Sequence, residues 1–82
     1  KTMSENLCPL SKLRPGSGGV VQGLRCPRAI KRRLADLGML PGTPVWVRRA
    51  APFGDPIQVH LRGYELTLRK EDAQLIWMQP YA

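Results

Sequence analysis

The sequence has few of the residues that usually carry out chemistry. Among 82 residues it contains one histidine, two cysteines and five aromatic side chains. No CxxC pair and no cluster of cysteine with histidine has the spacing of a zinc site. The single histidine, His60, has no nucleophile near it in the sequence, so a catalytic triad would need distant partners that the sequence does not identify. These shortages argue against an enzyme.

Long apolar runs are absent as well. No stretch approaches the roughly 20 apolar residues of a membrane-spanning helix. The polar first residues also lack the apolar core of a secretion signal. We therefore expect a cytoplasmic protein without a membrane span. Residues 1–6 are predicted to be disordered, and residues 7–82 are predicted to form a single domain.

Acidic residues are scarce relative to basic ones. Thirteen Lys and Arg stand against six Asp and Glu, which gives a net charge of +7. A charge this large on a small domain favours an acidic partner, which is nucleic acid, anionic lipid or an acidic protein surface. A helix that reads DNA bases usually carries Asn, Gln or Ser beside its cations. The most basic stretch has none of these, so nucleic acid is not the expected partner. Its cations are Arg25, Arg28, Lys31, Arg32 and Arg33.

One helix is predicted, from about Pro27 to Leu37. Apolar residues recur at helical spacing at Ile30, Leu34 and Leu37, and most cations of the basic stretch fall on the opposite face. Gly38 follows the last apolar residue, where a left-handed cap is expected. The basic face is interpreted either as a contact surface for an acidic partner or as a solvated helix face.

The rest of the chain has the pattern of short strands and tight turns. Apolar and polar residues alternate, and eight Gly and eight Pro punctuate the alternation. This pattern predicts a small, mainly β barrel with one inserted helix and a short helical turn at residues 70–73. The predicted core consists of Val20, Val45, Val47, Ile57, Val59, Leu61, Leu66, Leu68 and Ile76, with Ile30, Leu34 and Leu37 fastening the helix to it.

Three apolar residues lie in or beside predicted turns. Met39 and Leu40 follow the helix, and Phe53 lies in a turn rich in Pro and Gly. Apolar side chains at such positions either cap the core or form an exposed docking patch. The sequence leaves both interpretations open.

Several motifs resemble one known family. Residues 32–42, Arg-Arg-Leu-Ala-Asp-Leu-Gly-Met-Leu-Pro-Gly, resemble a motif of the ferrous iron transport protein A (FeoA) family. Three more segments, in the same order as in the family, resemble its opening strand and turn, its AP-x-GDPI turn and its C-terminal motif; they are residues 10–16, 51–57 and 66–76. The resemblance extends over about residues 7–79.

The resemblance implies a fold and a role. It implies an SH3-like β-barrel with a helical insertion, acting as a cytoplasmic accessory of bacterial ferrous iron uptake. The implied partner is the membrane GTPase permease FeoB, which would recruit the protein to the inner face of the membrane. The same domain type occurs at the C-terminus of metal-dependent repressors of the diphtheria toxin repressor family, so a repressor-like module is the alternative.

The hypothesis is therefore a non-enzymatic docking module. Its predicted partner-binding residues are Arg28, Lys31, Arg32, Met39, Leu40 and Phe53. Two rival hypotheses remain. One is stimulation of GTP hydrolysis by an exposed Arg, and the other is nucleic-acid binding by a small basic barrel.

No cofactor is expected to be required. The remaining candidates for binding an adventitious divalent metal are Cys8, Cys26 and His60. The alternative interpretation of the two cysteines is small apolar packing. The sequence leaves self-association open.

Overall fold

The computed structural model of the chain describes residues 6–81. Apart from Asn6, the segment predicted to be disordered lies outside the described residues. Within the described range, a 3₁₀ turn at Leu10–Lys12 accompanies six strands and two helices. In chain order these are β1 (Cys8–Pro9), β2 (Gly18–Leu24), α1 (Arg28–Asp36), β3 (Pro44–Ala50), β4 (Ile57–Leu61), β5 (Tyr64–Leu68), α2 (Lys70–Ala73) and β6 (Ile76–Pro80).

The six strands form one antiparallel sheet. Their order is β1-β6-β2-β3-β4-β5, so β2 to β5 are neighbours both in the chain and in the sheet. The last strand, β6, lies between β1 and β2, which joins the two ends of the domain. Helix α1 connects β2 to β3, and the single turn α2 precedes β6. The mainly β fold class with one inserted helix and a short C-terminal helical turn is confirmed.

The core contains most of the predicted positions, but Val20 is a wrong prediction. Val20 pairs with Gln79, whereas Val21 pairs with the buried Met78. Because successive side chains of a strand alternate between faces, one of two adjacent valines faces inward, and here it is Val21. The buried apolar residues are Leu10, Val21, Leu34, Met39, Val45, Val47, Ile57, Val59, Leu61, Leu68, Ala73, Ile76 and Met78. Ile30, Leu37 and Leu66 are partly buried against them.

Both ends of helix α1 lie close to the positions that the sequence predicts. Pro27 precedes the helix with a φ of −59°, which suits the start of a helix. At the other end Gly38 has a φ of +107°. Its N–H donates to the carbonyl of Ala35 at 2.9 Å, and the N–H of Met39 donates to the carbonyl of Leu34 at 3.1 Å. These two bonds form a Schellman motif, which satisfies carbonyls at the end of the helix.

Two polar contacts link the C-terminal half of α1 and the residue after it to other elements of the described domain. Nη2 of Arg33 lies 2.9 Å from Oδ1 of Asp72 in α2, so Arg33 pairs with a carboxylate outside its own helix. The hydroxyl of Tyr64 in β5 donates to the carbonyl of Leu37. Both described helices are too short and too polar to span a bilayer.

Candidate partner-docking surface

Three cations of α1 form an exposed face on the helix. Arg28, Lys31 and Arg32 are exposed, and none of them takes part in an ion pair among the described residues. Residues three and four apart are neighbours on a helix surface, so these side chains lie next to one another. Their charges are available to an acidic surface. These three residues are named the basic face below.

The first turn of α1 adds to the positive charge of the basic face. No side chain caps the N-terminus of the helix, and its first turn contains no acidic residue. The free N–H groups at a helix N-terminus carry a partial positive charge, so Arg28 lies where a cation is unfavourable. This arrangement lowers helix stability, and a bound acidic group would relieve it.

The other two cations of the basic stretch have partners within the described residues. Arg33 pairs with Asp72, as described above. The guanidinium carbon of Arg25 lies 4.0 Å from the centroid of the Trp77 ring, which is within the range of a cation–π contact. Of the five clustered cations, three form the basic face, whereas Arg25 and Arg33 contact Trp77 and Asp72.

Met39 is not available to a partner, which corrects its prediction as a contact residue. Its side chain is 0% exposed. It follows Gly38 in the Schellman motif, where an apolar residue commonly packs against the last turn of the helix. Met39 and Leu34 accordingly belong to the same core cluster.

Leu40 lies beside the basic face, at a groove between α1 and β2. Its side chain is 43% exposed. The groove has a volume of about 270 Å³, and its lining includes Lys31 of the basic face together with Leu40. The structure thus brings a cation and an apolar residue of the predicted set to one place. The full lining of this α1–β2 groove is Gly23, Leu24, Lys31, Ala35, Met39, Leu40 and Pro41.

Phe53 projects from a different place, the turn between β3 and β4. It is 93% exposed. The turn is held by the N–H of Gly54, which donates to the carbonyl of Ala51 at 2.7 Å. Oδ1 of Asp55 accepts a hydrogen bond from the backbone N–H of Lys70 at 3.0 Å, which ties the turn to α2. Phe53 does not line the α1–β2 groove, so it offers a separate apolar contact.

The candidate metal ligands have different surroundings. Within residues 6–81, no three His, Cys, Asp or Glu side chains are placed to hold one ion. Cys8 and Cys26 are partly buried free thiols. Burial raises the pKa of Cys8, which disfavours the thiolate that binds metals. Nδ1 of His60 lies 2.8 Å from Oε2 of Glu65, so the imidazole already has a carboxylate neighbour.

The α1–β2 groove includes residues that the sequence pattern does not single out. Leu24 and Ala35 are partly buried and form part of its wall. The signal for Ala35 is its small side chain among the cations of the outer helix face, four residues after Lys31. Leu24 carries no comparable signal, because its place in the groove depends on how α1 packs on β2.

The contact between His60 and Glu65 also escapes prediction, although Gly63, between two alternating segments, is a sequence signal for a hairpin turn. Arg62 and Gly63 both have positive φ, as in the two-residue turns that close hairpins. Such a turn fixes the register of β4 and β5, so His60 and Glu65 lie opposite each other. The register places an imidazole and a carboxylate side by side on the outer face of the sheet.

Solved structures share this fold. The NMR structure of a FeoA-like protein from Clostridium acetobutylicum is 32% identical, with a TM-score of 0.86 over 94% of this chain and 90% of that one. The crystal structure of Stenotrophomonas maltophilia FeoA complexed with zinc, described as an SH3 domain protein, is 29% identical. Its TM-score is 0.72 over 83% of this chain and 85% of that one. The fold is SH3-like, as the resemblance implies.

The same fold occurs in a different functional setting. A manganese-dependent transcriptional repressor has a TM-score of 0.81 and covers 92% of this chain, which in turn covers 42% of the repressor. The two sequences are 22% identical. At this level the likeness concerns the fold alone and carries no argument about function.

Sequence comparison identifies the family. A Fe(2+) transport protein A/Fe(2+) transporter FeoB fusion protein from Porphyromonas gingivalis (strain ATCC BAA-308 / W83) is 30% identical over 67 residues. That match covers 82% of this chain and spans only 8% of the fusion protein. The sequence model of the FeoA domain family matches residues 8–80 of this chain. This chain belongs to the FeoA family, whose members take part in ferrous iron transport.

Proposed function

We propose that this chain is a non-enzymatic accessory of ferrous iron uptake that docks on the cytoplasmic side of the membrane GTPase permease FeoB. The observation that carries the proposal is the basic face beside the α1–β2 groove. Arg28, Lys31 and Arg32 have no ion partner among the described residues, and Lys31 and Leu40 line one groove.

The two parts of this surface have different physical roles. Complementary charges steer two proteins together and fix their relative orientation, but exposed pairs contribute little affinity. A partly buried apolar anchor contributes more, because its contact removes apolar area from water. We therefore assign orientation to the basic face and affinity to Leu40 in the α1–β2 groove. The acceptor on FeoB would be an acidic surface next to an apolar side chain.

The fusion protein from Porphyromonas gingivalis supports FeoB as the partner. Its name places transport protein A and transporter FeoB in one polypeptide. Covalent linkage raises the effective concentration of one part around the other, which is useful when the two parts bind each other. For separate chains the same contact would require the affinity of a docking surface.

Charge reversal of the basic face tests the proposal. The variant Arg28→Glu/Lys31→Glu/Arg32→Glu should lose about tenfold or more of its affinity for the cytoplasmic part of FeoB, because attraction becomes repulsion. A matched control reverses the exposed Arg14, Arg49 and Arg62, which changes the net charge by the same amount. Circular dichroism should show that both variants are folded.

The comparison of the two variants decides the outcome. Strong loss in the basic-face variant and retained binding in the control would support the proposed surface. Equal loss in both would mean that net charge alone attracts the partner, and unchanged binding in both would exclude the basic face.

Two single substitutions separate the apolar contacts. Leu40 and Phe53 are both exposed, so replacing either with serine should leave the fold intact. Leu40→Ser should weaken binding if the α1–β2 groove holds a side chain of FeoB, and Phe53→Ser should do so if the turn between β3 and β4 is part of the interface. Retention of full affinity by Leu40→Ser would contradict the proposed anchor.

A further inference from the structure

A second candidate binding site, lined by Arg48 and His60, lies on the outer face of the sheet, away from the basic face. It surrounds a cavity of about 310 Å³. Arg48 and His60 line this cavity, whereas Glu65, which contacts both of them, does not. The cavity therefore presents the side-chain nitrogens of Arg48 and His60, with the carboxylate outside its lining. The lining consists of Gly16, Trp46, Val47, Arg48 and His60.

One carboxylate oxygen of Glu65 contacts both Arg48 and His60. Its Oε2 lies 3.4 Å from Nε of Arg48 and 2.8 Å from Nδ1 of His60. Its Oε1 accepts a longer hydrogen bond, 3.4 Å, from the side-chain amide of Gln58. The terminal nitrogens of Arg48 and Nε2 of His60 have no partner among the described residues. The terminal N–H groups of Arg48 are therefore free to donate, and Nε2 of His60 becomes a donor as well when the imidazole is protonated.

A β-bulge at Arg48 and two backbone hydrogen bonds of Val47 determine the shape of this cavity. The register of β3 with β4 shifts between Val47 and Arg49, which makes Arg48 the extra residue of a β-bulge. A bulge changes the direction in which a side chain leaves the sheet. The N–H of Gly16 donates to the carbonyl of Val47 at 2.7 Å, and the N–H of Val47 donates to the carbonyl of Ser17 at 2.8 Å. These two hydrogen bonds hold the turn at Gly16 and Ser17 against β3, where Gly16 forms one wall of the cavity.

Trp46 provides a fixed apolar wall on another side. A Cβ atom on Gly18 would lie 2.5 Å from Cε3 of the indole, so the ring rests directly on the glycine backbone. The centroid of the indole lies 5.0 Å from that of Tyr81. The side chain is nevertheless 42% exposed. A ligand in the cavity would therefore meet a rigid aromatic surface as well as two donors.

We propose that this cavity binds a single carboxylate group from an acidic segment of a partner protein. Arg48 and protonated His60 would donate to the carboxylate, and Trp46 would cover its aliphatic stem. Because Glu65 offsets one of the two positive charges, the site suits a monoanion better than a doubly charged phosphate. None of these residues belongs to the basic face, so the proposal is independent of the docking on FeoB.

Binding at this site should be linked to protonation. The charged groups that contact or share a partner with His60 are Glu65 on β5 and Arg48 on β3. A neutral imidazole leaves the local charge near zero, whereas a protonated imidazole adds one positive charge and a second N–H donor. A carboxylate should therefore bind more tightly when the imidazole is protonated than when it is neutral.

NMR titration of the whole chain with short peptides tests this proposal. The probe is a capped peptide with one glutamate between glycines, and its control has glutamine in place of the glutamate. At about pH 5.5 the glutamate peptide should produce saturable shifts at the Trp46 indole and His60 ring signals, and the glutamine peptide should not. Absence of saturable shifts with the glutamate peptide, or equal shifts with both, would overturn the proposal.

Three variants and one competing anion complete the test. Arg48→Gln should weaken binding by roughly tenfold, the loss expected for one charge-assisted hydrogen bond, whereas Arg49→Gln should bind like the parent chain. His60→Gln should bind the glutamate peptide less tightly than the parent chain, because glutamine carries no positive charge. Equal affinity of Arg48→Gln and the parent, equal affinity of His60→Gln and the parent, or tighter binding of sulfate, which carries two negative charges, than of the peptide would each contradict the assignment.

Discussion

The carboxylate of Glu65 gives the domain a local sensitivity to acid. The hydrogen bond from His60, supported by the charge of Arg48, lowers the pKa of Glu65. A carboxyl group whose pKa is lower in the folded state contributes stability above its unfolded pKa. That contribution is lost as the pH falls through the folded pKa.

The substitution Glu65→Gln tests this contribution. It should lower the midpoint of urea unfolding near neutral pH, where the ionised carboxylate is paired. The difference from the parent should shrink at about pH 3, below the ordinary pKa of a glutamate of about 4.3. Glu71→Gln is a suitable control, because Glu71 is exposed and has no ion pair among residues 6–81. A loss of equal size at both pH values would contradict the ionic explanation.

Individual residues differ in how well the sequence predicts their surroundings. The turn that carries Phe53 is predictable from its Pro, Gly and Asp, which are local signals, whereas the exposure of the side chain is seen only in the structure. The burial of Met39 depends on the Schellman motif, which turns the chain back onto the core. The choice of Val21 over Val20 depends on pairing with Met78 in a distant strand, so neither valine is favoured by its own neighbours in sequence.

At the scale of elements, apolar packing should fasten α1 far more strongly than its ion pair does. Leu34 is fully buried, and replacing a buried leucine with alanine costs about 2–5 kcal/mol. The side chains of Arg33 and Asp72 are 60% and 20% exposed. A partly exposed ion pair of this kind contributes less than about 1 kcal/mol.

Chemical denaturation measures both quantities. Leu34→Ala should lower the free energy of unfolding by an amount in the range given above. A double-mutant cycle with Arg33→Ala and Asp72→Ala isolates the coupling energy of the ion pair. A coupling energy as large as the loss in Leu34→Ala would show that the ion pair, and not the apolar face, holds the helix in place.

The elements that are predictable from sequence are those with local signals. Pro27 and Gly38 mark the ends of α1, and the bulge in β2 lies beside a glycine, Gly23. The bulge at Arg48 has no glycine to signal it. The insertion of β6 between β1 and β2 joins residues at opposite ends of the chain, and no short-range pattern encodes such pairing.

At the scale of the whole molecule, the net charge of +7 should make docking depend on salt. Salt screens exposed charges, so the affinity for the cytoplasmic part of FeoB should fall as the salt concentration rises from about 50 mM to about 500 mM. The basic-face variant should show a flatter or inverted dependence, and the control with Arg14, Arg49 and Arg62 reversed should keep most of the parent's slope. The measurement is a binding titration at several salt concentrations, and an identical slope for all three proteins would exclude a localised acidic acceptor.

The fold of the molecule does not by itself determine its function. The manganese-dependent repressor shares the SH3-like fold at low identity, whereas the family match covers residues 8–80. The motifs that carry the family resemblance include the end of α1, and there Gly38 and Met39 serve the structure. The proposed function depends on Arg28 and Lys31, which lie outside these motifs, and on Leu40 within one of them. Their relation to the groove requires the three-dimensional arrangement.

Mapping the interface by NMR is the most direct test of docking through the basic face and the α1–β2 groove. The isotope-labelled chain would be titrated with the unlabelled cytoplasmic part of FeoB, and backbone amide shifts would be followed residue by residue. We predict that the largest perturbations fall on Arg28, Lys31, Ala35 and Leu40. Perturbations confined to the outer face of β3 and β4, or no perturbation at saturating FeoB, would contradict the proposed surface.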